Sequence, residues 1–201
     1  MTRRFASLVL LAALAASCTA PSGLIGSGSV ATHTFELDGF TAIEACCGFQ
    51  VYLSGGDQFS VAITADKNVL PVLSATLQGD TLRIGLDETQ TRSIVTSRLE
   101  ARVTMPTLEA VNLSGGARLR LDGAAPQATD LMLRLDGGAR AELFDLHVEN
   151  AQVTLTGGSS AELTVSGRLD YDLSGGAHLT YAGQPMVGKA ATSGGASATR
   201  H

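Results

Sequence analysis

Tryptophan is absent from this 201-residue chain, and aromatic residues of all kinds make up only 4% of it. Charged residues are also sparse, at 16%, whereas glycine is abundant, with 23 residues. This composition favours short strands and tight turns over a helical bundle. Leucine, valine, isoleucine and alanine are nevertheless plentiful enough to bury a core, which excludes a chain that is disordered throughout.

The apolar run near the N-terminus, residues 5–16, is too short to span a bilayer as a helix. It follows Arg3 and Arg4 and precedes small residues that end at Cys18, which is the pattern of a secretion signal. The stretch before Cys18 resembles a bacterial lipobox, in which the cysteine carries a diacylglycerol and becomes the mature N-terminus. We therefore expect residues 1–17 to be a signal peptide and Cys18 to be lipidated. The alternative is ordinary signal cleavage after Ala20.

Removal of residues 1–17 takes away two arginines and no acid, so the formal net charge changes from −5 to −7. An acidic mature protein is a poor candidate for binding nucleic acid. We expect attachment to a membrane through the N-terminal lipid, and a flexible tether over residues 18–33, where glycine and serine are frequent. The predicted location is the cell envelope, with an outer-membrane anchor and a head that faces the periplasm or the cell surface.

The two remaining cysteines, Cys46 and Cys47, are neighbours in the chain. A bond between them would close a strained ring, because adjacent Cα atoms lie about 3.8 Å apart. One interpretation is a redox switch formed by the pair. The other is an ordinary strand on which one thiol points into the core and one points out. Neither predicts a metal site, because no histidine stands at ligand spacing. No cofactor is predicted.

A nine-residue segment with a central Gly-Gly pair recurs in the C-terminal half. Four copies align without gaps and a weaker fifth follows, with starts at Leu113, Leu135, Leu155, Leu173 and Thr192. Apolar and polar residues alternate through each Gly-Gly pair, which predicts strands with one apolar face and a bend at the glycines. The period of about 20 residues is typical of a solenoid.

In a parallel β-helix these equivalent residues would stack in columns. The four leucines would lie inside, beside a narrower inner column formed by Ala117, Ala139, Ser159 and Ala177. An outer polar column would contain Ser114, Asp136, Thr156 and Ser174. The sequence therefore predicts an all-β, parallel β-helix-like solenoid, with the Gly-Gly repeats from about residue 108 to residue 200. The alternative is an antiparallel β-sandwich.

Several short motifs, in their order and spacing, resemble the head-GIN domain of autotransporter adhesins. They begin at Phe40, Gly48, Asp66, Gly79 and Met105, and the last of them leads into the Gly-Gly repeats. The resemblance implies a right-handed β-helix-like domain over residues 34–201 and an exported protein that is often a lipoprotein. It also implies an adhesin. Cys46 and Cys47 depart from the small or polar residues expected before the Gly-Phe motif, so the family implies no role for the thiols.

The preferred function is a non-enzymatic binding module for a glycan or a protein. Arg118, Arg140 and His178 share one repeat position and could form a stripe facing an anionic ligand, although the same residues could also be an ordinary solvated face. A second hypothesis is a structural or assembly element of the envelope, in which the weak last copy meets a second chain as a homo-oligomer.

A third hypothesis is a polysaccharide-active enzyme, because β-helices also host such enzymes. A glycosidase needs two carboxylates at a defined separation. Candidates exist at Asp136, Glu142, Glu162 and Asp172, but each stands where an exposed strand residue is expected in any case. The histidines are dispersed and no nucleophile stands beside a base, so no catalytic residue is predicted.

Overall fold

A computed structural model of the protein describes residues 23–87, 89–90 and 93–201. The fold is all-β, as predicted, and contains a single 3-10 turn, Leu70–Val72. None of the described residues forms a helix long and apolar enough to cross a bilayer. The predicted signal peptide and Cys18 lie outside the described residues.

The described part of the N-terminal half contains nine strands. They are β1 (Leu24–Ile25), β2 (Val30–Phe35), β3 (Ala42–Ala45), β4 (Gln50–Gly55), β5 (Ser60–Asp66), β6 (Leu73–Gln78), β7 (Thr81–Leu86), β8 (Ile94–Val95) and β9 (Leu99–Met105). The C-terminal half contains ten more. They are β10 (Ala110–Leu113), β11 (Arg118–Leu121), β12 (Asp130–Leu135), β13 (Arg140–Val148), β14 (Asn150–Leu155), β15 (Ser160–Val165), β16 (Arg168–Leu173), β17 (His178–Ala182), β18 (Met186–Thr192) and β19 (Ser197–Arg200).

Pairs of consecutive strands form coils that stack in parallel. The first sheet has the order β18-β16-β14-β12-β10-β3-β7-β6, and the second has the order β19-β17-β15-β13-β11-β4-β9-β5-β2. Each coil gives one strand to each sheet, so every repeat lies on the preceding one through parallel pairing. This arrangement confirms the predicted β-helix-like fold. Antiparallel pairing is confined to the N-terminal end, where β2, β5 and β6 close the stack.

The predicted inner columns are buried. Leu113, Leu135, Leu155 and Leu173 are in register on neighbouring strands and are at most 2% exposed. The small column beside them is also buried, and its one hydroxyl, Ser159 Oγ, donates to the carbonyl of Leu135 at 3.3 Å. The apolar faces of both sheets therefore share one hydrophobic core, which is where most of the stabilising free energy arises.

Two kinds of connection join the strands of the repeats. A four-residue corner leads from the first sheet to the second in every coil, for example residues 114–117 and residues 136–139. On the opposite edge the connection varies, from residue 149 alone to the longer loop 122–129. At the corners the glycine amides bond to the coil below; Gly158 N, for example, donates to the carbonyl of Gly137 at 2.7 Å.

The prediction of a flexible tether over residues 18–33 is wrong for its described part. β1 pairs with β8, and β2 pairs with β5 along its full length. The Asn68 side chain holds the link between β1 and β2, since its Nδ2 donates to the carbonyl of Ile25 and its Oδ1 accepts from Ser27 N, both at 2.8 Å. A Cβ on Gly26 would collide with Asp66 Oδ2, so the glycine here belongs to a packed segment, and its presence does not indicate a free chain.

Asp66 is a buried carboxylate that joins this N-terminal segment to the loop before β9. Its Oδ2 accepts from Thr96 Oγ1 at 2.5 Å and from the Ser97 amide at 2.8 Å. The Thr96 hydroxyl, followed by the Ser97 amide, lowers the pKa of Asp66 below its ordinary value. The charged form is therefore the one that the folded protein stabilises.

Asp66→Asn is expected to lower the melting temperature at pH 7 by several degrees, about 5 °C. Because the folded-state pKa is depressed, Asp66 contributes stability above the ordinary aspartate pKa of about 3.9 and loses it as the pH falls through the folded value. The gap between wild type and variant should therefore shrink below about pH 4. Thermal unfolding from pH 7 to pH 3 measures it, with Asp57→Asn, in an exposed turn, as the control. A gap that does not change with pH would contradict this role.

Candidate functional site

The outer face of the second sheet carries a group of arginines around one tyrosine. Alternation on β4 points Val51 and Leu53 into the core and leaves Tyr52 on the outer face. Register then sets Arg102 of β9 on one side of Tyr52 and Arg120 of β11 on the other. The guanidinium carbons of Arg102 and Arg120 lie 4.9 and 4.5 Å from the ring centroid, so both cations contact the aromatic ring.

Arg118 and Arg140 form the neighbouring column on the same face. They are exposed and directly in register on β11 and β13, where parallel strands lie about 4.8 Å apart. We call Tyr52, Arg102, Arg118, Arg120 and Arg140 the arginine face. Its side chains stand on a sheet whose inner surface is fully packed, so their positions are set by the fold rather than by a loop.

The charges of the arginine face are mostly unpaired. Arg102 forms an ion pair with Asp122, but among the described residues Arg118, Arg120 and Arg140 form none. The nearest acids in the ladders are Glu142, in register with Arg120, Glu162 beyond it, and Glu100 on β9, two strands from Arg118. Acidic side chains therefore flank the arginine face on both sides, and Glu100 is itself paired with Arg98.

The register brings only two of the three residues of the predicted stripe together. Arg118 and Arg140 are adjacent, but Ser160 stands between Arg140 and His178, which is therefore two strands and about 10 Å away. His178 Nδ1 lies 2.8 Å from Ser197 Oγ on the last strand. His178 thus belongs to the same column but to a different part of the face.

Tyr52, Arg102 and Arg120 were not identified from the sequence. Arg120 was visible as an outward residue of the first repeat, but its neighbours on β4 and β9 come from the other half of the chain. The coil formed by β3 and β4 was missed because its corner reads Cys46-Cys47-Gly48 instead of a polar residue followed by Gly-Gly. Alignment of that corner with residues 114–116 was the signal that could have placed Tyr52 beside Arg120.

The structure brings together two of the candidate carboxylates of the enzyme hypothesis, Glu142 and Glu162, which are in register on β13 and β15, and it places Asp136 and Asp172 on other surfaces. Asp136 is at a corner, where the hydrogen bond from the Thr156 hydroxyl, at 2.6 Å, lowers its pKa below the ordinary value. Asp172 is on the first sheet, paired with Lys189 at 2.7 Å, whereas Glu142 and Glu162 are on the second. No cluster of three or more His, Cys, Asp or Glu suited to a metal occurs within residues 23–87, 89–90 and 93–201.

A groove of about 470 Å³ on the outer face of the first sheet is a second candidate for a binding site. Its polar groups are largely engaged with one another: Asn150 Nδ2 donates to Asp130 at 2.8 Å, and Arg168 Nε donates to Asp170 at 2.7 Å. Half-exposed Met132 lines the same groove. A ligand would have to displace these internal bonds, so the groove is a weaker candidate than the unpaired arginines.

Comparison with known proteins gives one family and several solved structures. The family model described as "Putative auto-transporter adhesin, head GIN domain" matches residues 39–129 and 124–185. No curated protein matches the chain.

The solved structures show the fold, at low sequence identity. A "putative adhesin" from Bacteroides fragilis is 11% identical, with a TM-score of 0.54, over 89% of this chain and 100% of that chain. A second "putative adhesin", from Parabacteroides distasonis, is 13% identical, with a TM-score of 0.52, over 90% of this chain and 100% of that one.

Proposed function

Because the chain belongs to the family named "Putative auto-transporter adhesin, head GIN domain", we propose that it is a non-enzymatic binding module of the cell envelope, and that its arginine face binds an anionic glycan. The observation that carries this proposal is the group of three unpaired arginines beside Tyr52 on a rigid sheet. Guanidinium groups donate paired hydrogen bonds to carboxylate and sulfate oxygens. The half-buried Tyr52 ring packs against the guanidinium groups of Arg102 and Arg120 and so fixes their place on the sheet.

Because the protein is negatively charged overall, the arginine face can attract an anionic glycan only at short range. The chain carries a formal net charge of −5, so it repels polyanions at long range. Binding then depends on side chains close enough to replace water around the ligand anion, and it weakens as salt screens the contact. A glycan with regularly spaced carboxylates or sulfates could engage Arg118 and Arg140 together, because they project from neighbouring strands.

We further propose that Cys18 carries a lipid and holds the mature protein at the outer membrane. The head would then project into the periplasm or beyond the surface, where an adhesin meets its ligand. To test this, the mature protein is isolated from the membrane fraction and its intact mass is measured. The mass should include the lipid on Cys18.

Arg118→Ala/Arg140→Ala is expected to weaken binding to an anionic polysaccharide by at least tenfold, roughly the loss of two charge-assisted contacts. Isothermal titration or biolayer interferometry of the mature protein with dextran sulfate and polygalacturonate measures this, with neutral dextran as the reference polymer. Tyr52→Ala should weaken binding less than the double variant does, because it leaves every positive charge in place and removes only the ring against which Arg102 and Arg120 pack.

The matched control is Arg83→Ala/Arg134→Ala, which removes the same charge from the outer face of the first sheet. This variant is expected to bind like the wild type. Equal losses in the two double variants would show that binding follows net charge alone. No binding of either polyanion by the wild type would remove the anionic glycan from the proposal.

A further inference from the structure

The corner between β3 and β4 carries Cys46 and Cys47 at positions that other coils fill with a polar residue and glycine. Ala45 is in register with Leu113, and Gln50 with Arg118, so residues 46–49 are equivalent to residues 114–117. The two corners also share their internal bond: Phe49 N donates to Cys46 O at 3.2 Å, as Ala117 N donates to Ser114 O at 3.0 Å. Cys47 therefore occupies the first-glycine position of the corner.

Cys47 has the backbone conformation of the glycine that it replaces. Its φ is +63°, and it is the single non-glycine residue with positive φ in the part of the chain that the structure describes. The five equivalent glycines have φ between 56° and 74°. A residue with a Cβ adopts this region reluctantly, so the corner would be filled more easily by Ser-Gly, as in the next coil. The fold alone does not account for a cysteine here.

The expectation that the two thiols lie on opposite faces of a strand is wrong. β3 ends at Ala45, both cysteines lie in the turn that follows, and they are joined by a disulfide with a Cα–Cα distance of 3.8 Å. Cys46 Sγ is close to β7, at 3.2 Å from the position that a Cβ on Gly85 would take. Cys47 is exposed, and it borders a cleft of about 400 Å³ formed with Gln50 and residues 94–99. Cys47 is the more exposed residue of the pair, so we expect a small reagent to attack its sulfur first.

We propose that Cys46–Cys47 is a site of reversible thiol–disulfide exchange with small thiols or dithiols. A thiolate attacks Cys47 Sγ, the bond between the two sulfurs breaks, and Cys46 leaves as a thiolate and takes up a proton. A second thiolate then attacks the reagent sulfur of the mixed disulfide, and Cys47 leaves as a thiolate and takes up a proton. The products are two protein thiols and one oxidised reagent disulfide, so two electrons pass from the reagent to the protein. Oxidation reverses these steps.

The consequence of reduction is confined to the corner. β3 stays paired with β7 and β10, and β4 with β9 and β11, since none of these pairings involves the sulfurs. After reduction the positive φ of Cys47 is held only by the hydrogen bonds of the corner, which can then relax towards a conformation that L-residues prefer. The bonds affected first are those of the corner amides, Phe49 N to Cys46 O and Ser114 N to Ala45 O.

The test uses the mature protein in dithiothreitol buffers of graded potential, followed by alkylation and intact mass measurement. The expected result is a reversible two-electron transition in which two alkyl groups are added without denaturant. Hydrogen exchange at Phe49 and Ser114 should become at least several-fold faster in the reduced protein, while amides of the central coils keep their rates. The inference is independent of glycan binding, which is measured separately.

Cys46→Ser/Cys47→Gly is the matched control, because it gives this corner the Ser-Gly sequence of residues 114–115. Reductant should leave its corner amides unchanged. Cys46→Ser alone, which keeps the Cys47 side chain but removes the bond, should show fast corner exchange under all conditions. The proposal is overturned if excess dithiol reduces the pair only after unfolding. It is equally overturned if reductant accelerates the corner amides of the control as much as those of the wild type.

Discussion

Replacing Gly157 by alanine is expected to destabilise the protein by about 3 kcal/mol. Part of this cost arises because a residue with a Cβ must adopt a left-handed backbone conformation, and the rest because the Cβ collides with the coil below. Gly157 has a φ of +69°, and an added Cβ would lie 2.9 Å from the carbonyl oxygen of Gly137. That oxygen cannot move away freely, because it accepts the Gly158 amide at 2.7 Å. Thermal unfolding should show a melting temperature lower by roughly 6–12 °C.

The neighbouring pair of glycines supplies the control for this variant. Gly138 precedes its coil's second strand as Gly158 does, its φ is not positive, and an added Cβ would meet no atom within 4 Å. Gly138→Ala should leave stability unchanged or raise it slightly, because alanine restricts the unfolded chain. Similar losses in Gly157→Ala and Gly138→Ala would show that the first glycine of the pair has no special place in the corner.

Leu155→Ala is expected to cost about 3 kcal/mol, because it opens a cavity that rigid neighbours cannot fill. Leu155 is fully buried and is in register between Leu135 and Leu173. Parallel ladders hold both neighbours in place, so the stack has little freedom to collapse into the gap. Denaturant unfolding monitored by circular dichroism measures the loss as a lower transition midpoint.

Thr154→Ala on the same strand tests whether the loss comes from the core. Thr154 faces outward beside Arg134 and Asp172, so its replacement should change stability by no more than about 0.5 kcal/mol. If Leu155→Ala were tolerated as well as Thr154→Ala, the leucine column would not be the main source of stability in this part of the fold.

The repeats could be predicted because each copy contains its own signal. Leu135 and Ala139 are inward by simple alternation, and a constant offset from Leu113 and Ala117 indicates stacking without knowledge of any distant contact. The N-terminal half offers no such internal comparison. The tether predicted over residues 18–33 overlooks β1 and β2, because the side chain that holds the link between them, Asn68, lies about forty residues later. Contacts of that range leave little trace in local composition.

The candidate site was found in part for the same reason. Arg118 and Arg140 share a repeat position, so their proximity followed from the period. Tyr52 lies outside the repeats and reaches Arg120 through the pairing of β4 with β11, and Arg102 reaches Tyr52 because the chain returns β9 to the other edge of β4. The corner with the two cysteines made the first coil hard to predict for two reasons. Its sequence does not align visibly with the Gly-Gly corners, and two adjacent cysteines on an expected strand would point to opposite faces.

The two kinds of connection between strands also determine where this protein can change in length. Every corner of the repeats spans four residues, whereas the other edge accommodates both residue 149 alone and the whole of loop 122–129. One residue inserted at a corner would shift the following strand by one place and send its inward side chains outward. An insertion at the other edge leaves the register of both sheets intact. Differences in length among such molecules should therefore accumulate along a single side of the stack. A peptide grafted onto this protein should be tolerated on that same side.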